Sequence, residues 1–218
     1  MTSASEDVST VAEQFDTAEQ QRNADIAGMW VFLATEVLFF GGLFVGFAVY
    51  RFQYPVAFAA AAERLDLVLG SINTALLLTT GLLAAAADAA MAQRRRAVVL
   101  CLLVAIMLLG MVFLGIKGHE YSTEIDEGLA PFLGMPFRFE GPGDGHAAMF
   151  FNFYFALTGL HALHMTIGIG ALAVLSILVL RWGEAGRLER QVRITCLYWS
   201  FVDMVWLFVF PTLYLLRS

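Results

Sequence analysis

Charge is scarce in this sequence: Asp, Glu, Lys and Arg make up 15% of its 218 residues and apolar residues 59%, whereas soluble domains carry about 25% charged residues. Together with a mean hydropathy of +0.72, this excludes an ordinary soluble enzyme. Basic residues are scarcer than acidic ones, 13 against 19, which leaves a net charge of −6. No basic surface is available for nucleic acid. The two cysteines, Cys101 and Cys196, fall near the starts of separate apolar runs. They cannot build a disulfide framework and are expected to be reduced, small core residues. The N-terminus has no basic segment leading into a short apolar run, so it does not read as a secretory signal. Glu6, Asp7, Glu13, Asp16, Glu19 and Asp25 stand against Arg22 alone, and residues 1–25 are expected to form a polar acidic tail. GxGxxG, a Walker loop and a nucleophile elbow are all missing. There is no internal repeat, which argues against an inverted-repeat transporter.

What is abundant is uninterrupted apolar chain. Between Asp25 and Arg51 the only charged residue is Glu36, none occurs in 67–87, 97–116 or 145–180, and 194–216 holds only Asp203. Each window is about 20 residues or longer, enough at about 1.5 Å per residue to cross a hydrocarbon core of about 30 Å. The sequence predicts an all-α integral membrane bundle of five transmembrane helices, spanning about 27–50, 66–89, 97–117, 147–180 and 194–216 within one domain, 26–217. The longest connection, 118–146, is punctuated by Gly and Pro and is expected to be a loop outside the membrane. Arg22, Arg94, Arg95, Arg96, Arg181, Arg187, Arg190 and Arg193 fall on one side, and Arg51, Arg64, Lys117, Arg138 and Arg217 on the other. That bias places the N-terminus in the cytoplasm and the C-terminus outside.

A carboxylate at mid-bilayer costs about 3 kcal/mol on insertion scales, so Glu36 and Asp203 need reasons to be there. Counted from the helix starts, they lie about 15 and about 14 Å deep. Two readings of Glu36 stay open: a hydrogen-bonding lock between helices, or a carboxyl that takes part in proton traffic. Trp199, Asp203, Trp206 and Phe210 follow helical spacing, which makes Asp203 a polar lock on a packed face. His161 and His164 share one helix face, a spacing compatible with metal ligation but also with core histidines bonded across helices. The same depth count brings Asn73 near them, and the three are expected to form one hydrogen-bonded cluster. Asp66 and Asp88 lie at span ends and need no functional role. Only one span carries histidines, whereas a two-haem cytochrome b places them in pairs on facing helices. No redox metal is therefore expected on this chain.

Several segments together resemble subunit III of the haem–copper terminal oxidases. GMWVFLATEVLFFGGLFVGFAVYR (28–51) is similar to that family's Glu-bearing helix, with Glu36 at the membrane carboxylate and Phe39 and Phe40 after it. LGSINTALLL (69–78), the pair Glu120 and Tyr121, DGHAAMFFNFYFALTGLHALHMTIGIGAL (144–172) and YWSFVDMVWLFVF (198–210) match the segments that follow in the family. The resemblance implies a non-catalytic accessory subunit of a cytochrome c or quinol oxidase complex in the bacterial cytoplasmic membrane. Its partners would be a catalytic, haem-bearing subunit of the subunit I type and further oxidase subunits. Haem and copper would sit in that partner, phospholipid would be held by this chain, and the complex would serve aerobic electron transport and proton uptake. Four histidines also fall short of the six that the family pattern gives a haem–copper catalytic subunit.

In that frame Glu36 is the proton-related carboxylate, and Asn73, Glu120, His161, His164 and Asp203 are structural or lipid-adjacent. Two departures stand out. Ser200 replaces the family's usual His, and the five spans correspond to the form without the two N-terminal helices of seven-span members, as in quinol oxidase types. The phrase FPTLYLL (210–216) resembles the branch encoded with nitric oxide reductases, which makes an accessory protein of that enzyme the alternative partner role. A small proton channel or transporter, suggested by Glu36, Asp88 and Asp203, is the alternative of another class.

Overall fold

The computed structural model describes residues 17–131, 137–142, 144–181 and 185–217, so the first 16 residues of the acidic tail lie outside the described residues. Six helices account for nearly all of it: α1 (Ala18–Gln53), α2 (Pro55–Ala62), α3 (Leu67–Ala92), α4 (Arg96–Asp126), α5 (Asp144–Arg181) and α6 (Ala185–Phe210). A π-helical turn, Pro211–Leu215, continues from α6. All but α2 are long and apolar enough to cross a membrane. Helices are what a chain in hydrocarbon must form, because every N–H and C=O has to be satisfied within its own segment.

The ends follow local chemistry. Thr17 caps α1 by accepting from the Gln20 N–H at 3.1 Å, and Asp66 caps α3 by accepting from Val68 and Leu69 N–H at 2.8 and 3.1 Å. Each satisfies amides that the first helical turn leaves without partners. Pro55 opens α2, where its missing N–H costs nothing. Gly128, at φ +75°, stops α4, and a β-carbon there would meet the Arg138 side chain at 3.3 Å. The positive φ favours glycine here.

The five long apolar helices that the charge gaps predict are present. Ala18–Asp25, the end of the polar acidic segment, forms the first turns of α1, and α4 runs on through Asp126, so residues 118–126 are helical where a loop is expected. Lys117, at the expected end of its span, and Glu120 and Glu124, within the expected loop, are all buried inside the bundle. Beyond Gly128 the connection packs back onto the helices. Leu129, Ala130 and Phe139 are buried, and Arg64 donates to the Glu140 carbonyl at 2.9 Å while lying over the Phe139 ring.

α3, α4, α5 and α6 form a closed ring of four neighbours; α1 lies outside it against α5 and α6, and α2 packs on α5. The interior of the ring is filled by Leu77 and Ala84 from α3, Ile106 and Phe113 from α4, Leu157 and Met165 from α5, and Trp199 and Trp206 from α6. Helices in lipid gain little from apolar burial against one another, so close packing carries the association. Trp199 shows how. A β-carbon at Gly110 would meet its ring at 3.0 Å, and one at Gly168 would do the same from the other helix. The Gly168→Val variant is expected to push the indole out of place and lose about 1–3 kcal/mol, read as a lower melting temperature of the purified protein.

Candidate functional site

Four polar groupings interrupt the apolar interior. The first joins α1 to α5, where His164 Nε2 and Glu36 Oε2 lie 3.1 Å apart, both partly buried. The other ring nitrogen settles the proton count. His164 Nδ1 is 2.9 Å from the Leu160 carbonyl, which can only accept, so Nδ1 carries a hydrogen. The Nε2···Oε2 bond then needs one more proton, held either on the imidazole, giving an ion pair, or on the carboxyl, giving a neutral pair. Glu36 and His164 thus share a single proton between two sites. Tyr198 of α6 donates to the His164 carbonyl at 3.0 Å, and the Phe40 ring lies 5.5 Å from the imidazole.

The second grouping is a closed cage. Lys117 Nζ donates to Glu120 Oε2 at 3.0 Å and to the hydroxyls of Tyr154 and Tyr214, each at 2.9 Å. Tyr154 donates to Glu120 Oε1 at 3.1 Å, and Tyr214 donates to the same oxygen. All three ammonium hydrogens are used, and both phenols accept from the lysine and donate to the carboxylate. Such completeness lets a charge pair survive inside a protein. Beside the cage, Tyr121 and Thr158 share a hydrogen bond of 2.6 Å. Glu124, one turn beyond Glu120, has neither carboxylate oxygen in a hydrogen bond of normal geometry among the described residues, though Tyr154 and Lys117 are near it.

The third is Asp203 on α6, which accepts from the Thr80 hydroxyl of α3 at 3.1 Å. Its Oδ2 is 3.2 Å from where a β-carbon on Gly81 would sit. The Trp199 indole is its other polar neighbour, although Oδ1 and the indole N–H do not align into a bond. The Thr80 hydrogen bond links α6 to α3. Glu36 and Asp203, similar in depth by residue count, belong to separate pairs on different helices.

The fourth concerns Asn73 and His161. The single cluster of Asn73, His161 and His164 does not form: His164 turns to Glu36, while Asn73 and His161, both 0% exposed, make no hydrogen bond among the described residues. Depth counting brought these residues to similar levels but could not say which way each faces around its helix. Trp206 lies between their helices, donating to Thr74 Oγ1 at 3.0 Å, with its ring 5.1 Å from His161 and 4.9 Å from Phe113.

Sequence reasoning missed Lys117, Tyr154, Tyr214 and Thr80. A signal existed for the first: Lys117, Glu120 and Glu124, at i, i+3 and i+7, continue the buried stripe Ile106, Gly110, Phe113 on one face of α4. Among the described residues no three or more His, Cys, Asp or Glu side chains are placed to hold a metal ion. Cys101 is exposed, Cys196 is buried, and both are free.

Comparison with known proteins gives this arrangement a family. The chain is 28% identical to a protein named probable quinol oxidase subunit 3 from Staphylococcus haemolyticus over 212 residues, covering 97% of this chain and 96% of the relative. It is also 28% identical to the protein of that name from Staphylococcus saprophyticus over 205 residues, 94% of this chain and 95% of the relative. A third so named, from Staphylococcus aureus, is 26% identical over 201 residues, 92% and 93% of the two chains. The family described as cytochrome c oxidase subunit III matches residues 7–218, so this chain belongs to the cytochrome c oxidase subunit III family.

Proposed function

We propose that this chain is the accessory subunit III of a bacterial haem–copper quinol oxidase, with Glu36 and His164 as a proton-sharing pair that supports proton uptake by its catalytic partner. Membership of the family over 7–218 carries the first part, and the relatives' shared name, quinol oxidase subunit 3, supports quinol as the donor class. Neither finding favours an accessory protein of nitric oxide reductase or a free-standing channel. The redox centres belong to the partner subunit, and the lipid-facing sides of the peripheral helix α1, where Leu38 and Phe52 are exposed, fit contact with phospholipid or that partner. Arginine distribution supports a cytoplasmic N-terminus and an external C-terminus. The 3.1 Å contact between His164 Nε2 and Glu36 Oε2 is the observation that favours a proton role for Glu36 over a purely mechanical one.

Glu36→Gln separates the two. Glutamine keeps the side chain's shape and can donate its amide hydrogen to Nε2, but it has no titratable proton. The expected result is an assembled complex whose proton uptake or turnover lifetime falls several-fold. Hydrophobic carbodiimides, which attack carboxyls in apolar surroundings, are expected to label the wild-type chain mainly at Glu36. A Glu36→Gln complex equal to wild type in turnover lifetime and proton uptake, together with failed assembly of Glu36→Ala, assigns the residue a structural role alone.

A further inference from the structure

Two oxygen contacts at Thr80 compete for one hydrogen. The hydroxyl lies 2.8 Å from the Leu77 carbonyl of its own helix and 3.1 Å from Asp203 Oδ2 on α6, and Thr80 is 0% exposed. A threonine hydroxyl carries a single hydrogen and lone pairs that accept. The Leu77 carbonyl can only accept, and its contact is the shorter of the two and of ordinary O–H···O length, so it takes that hydrogen. The contact between Thr80 and Asp203 then needs a second hydrogen. Within that contact the only group left to carry one is the Asp203 carboxyl.

The surroundings point the same way. Asp203 is 7% exposed and belongs to no ion pair among the described residues. Arg193 of the same helix pairs with Asp88 and lies about 15 Å away along the axis. α1 and α5 also pack on α6, but their titratable groups are engaged elsewhere: Glu36 with His164, and the His161 ring against Phe113 and Trp206. On α6 itself Tyr198 donates to the His164 carbonyl, and the Trp199 indole is near Asp203 without bonding Oδ1. A carboxylate here would be a buried charge with no counter-charge and one bare oxygen. A carboxylic acid leaves only a carbonyl oxygen bare, which costs far less.

We infer that Asp203 is a carboxylic acid that keeps its proton in the neutral pH range and donates it to Thr80 Oγ1, with Thr80 donating in turn to the Leu77 carbonyl. This proton site shares no residue with the Glu36–His164 pair. It also differs in kind, because Thr80 is no base and the proton stays on Asp203 instead of being shared. A pH-dependent contact between α3 and α6 follows. A free aspartate gives up its proton above about pH 4, whereas the folded protein retains it. From there upward the folded state binds more protons than the unfolded one, so this contact is strongest at low pH and weakens as pH rises.

Infrared difference spectra of the purified complex at neutral pH test this directly, since a protonated carboxyl has a C=O stretching band that a carboxylate lacks. Asp203→Asn is expected to remove one such band, and Thr80→Val to move it to higher frequency as the acid loses its acceptor. A spectrum in which Asp203→Asn removes no band overturns the inference: Asp203 is then a carboxylate that shares the Thr80 hydrogen with Leu77. Thermal stability gives a second readout. The amide of Asp203→Asn has the shape of the acid, donates to Thr80 and does not titrate, so this variant is expected to assemble. The wild-type melting temperature is expected to fall by several degrees relative to the variant as pH is raised through the neutral range. Parallel pH profiles contradict the site, as does failure of Asp203→Asn to assemble, which would show that a neutral donor of the same shape is not enough.

Discussion

Lys117→Met is expected to be the most damaging single substitution among the buried polar groups, costing about 3–5 kcal/mol and leaving little assembled protein in the membrane. Removing the ammonium leaves the Glu120 carboxylate buried with no counter-charge, and the two tyrosine hydroxyls lose a donor. The penalty comes from the stranded partner more than from the lost attraction. The double variant Lys117→Met with Glu120→Leu is therefore expected to recover much of the loss, since apolar replacements of both charges can match a buried ion pair. Yield and melting temperature of the purified protein measure both. A double variant no better than Lys117→Met shows that the tyrosines or Glu124 set the cost instead.

The second large effect lies in the aromatic centre of the ring. Trp206→Ala removes a ring packed edge-on against Phe113 at 4.9 Å and beside His161 at 5.1 Å, and a loss of about 3–5 kcal/mol is expected for such a truncation. Trp206→Phe keeps most of the ring and forfeits only the bond to Thr74, so about 1 kcal/mol is expected. Comparing the two melting temperatures separates packing from hydrogen bonding. Equal losses mean that the Thr74 bond, and not the ring volume, holds α3 to α6.

The sequence made the five long helices legible because hydrocarbon forbids charge, and the gaps between charged residues therefore mark the membrane. The same rule misled at the end of α4. The span is expected to stop at Lys117 because charge normally means water, yet within a complete cage a pair can be buried, and completeness is visible only when Tyr154 and Tyr214 arrive from other elements. The short helix α2 left no trace, since eight apolar residues opened by Pro55 resemble a span end as much as a helix.

Site residues were legible as types and not as pairs. Asp203 could be assigned to a packed face from its own helix, because the aromatic spacing runs through it. Glu36 could not be matched to His164, 128 positions away, since the facing of α1 against α5 depends on packing around the whole ring. Asn73 and His161 were recognised as buried polar residues, but their lack of hydrogen-bond partners among the described residues appears only in three dimensions.

Purification through an affinity tag on this chain in mild detergent, followed by a haem absorption spectrum, bears most directly on its role as an accessory oxidase subunit. Intact membranes are expected to yield a larger complex with haem in stoichiometric amount, and the chain produced alone is expected to carry none. Stoichiometric haem on the isolated chain, or an isolated oligomer that conducts ions and brings no haem-bearing partner with it, contradicts that role.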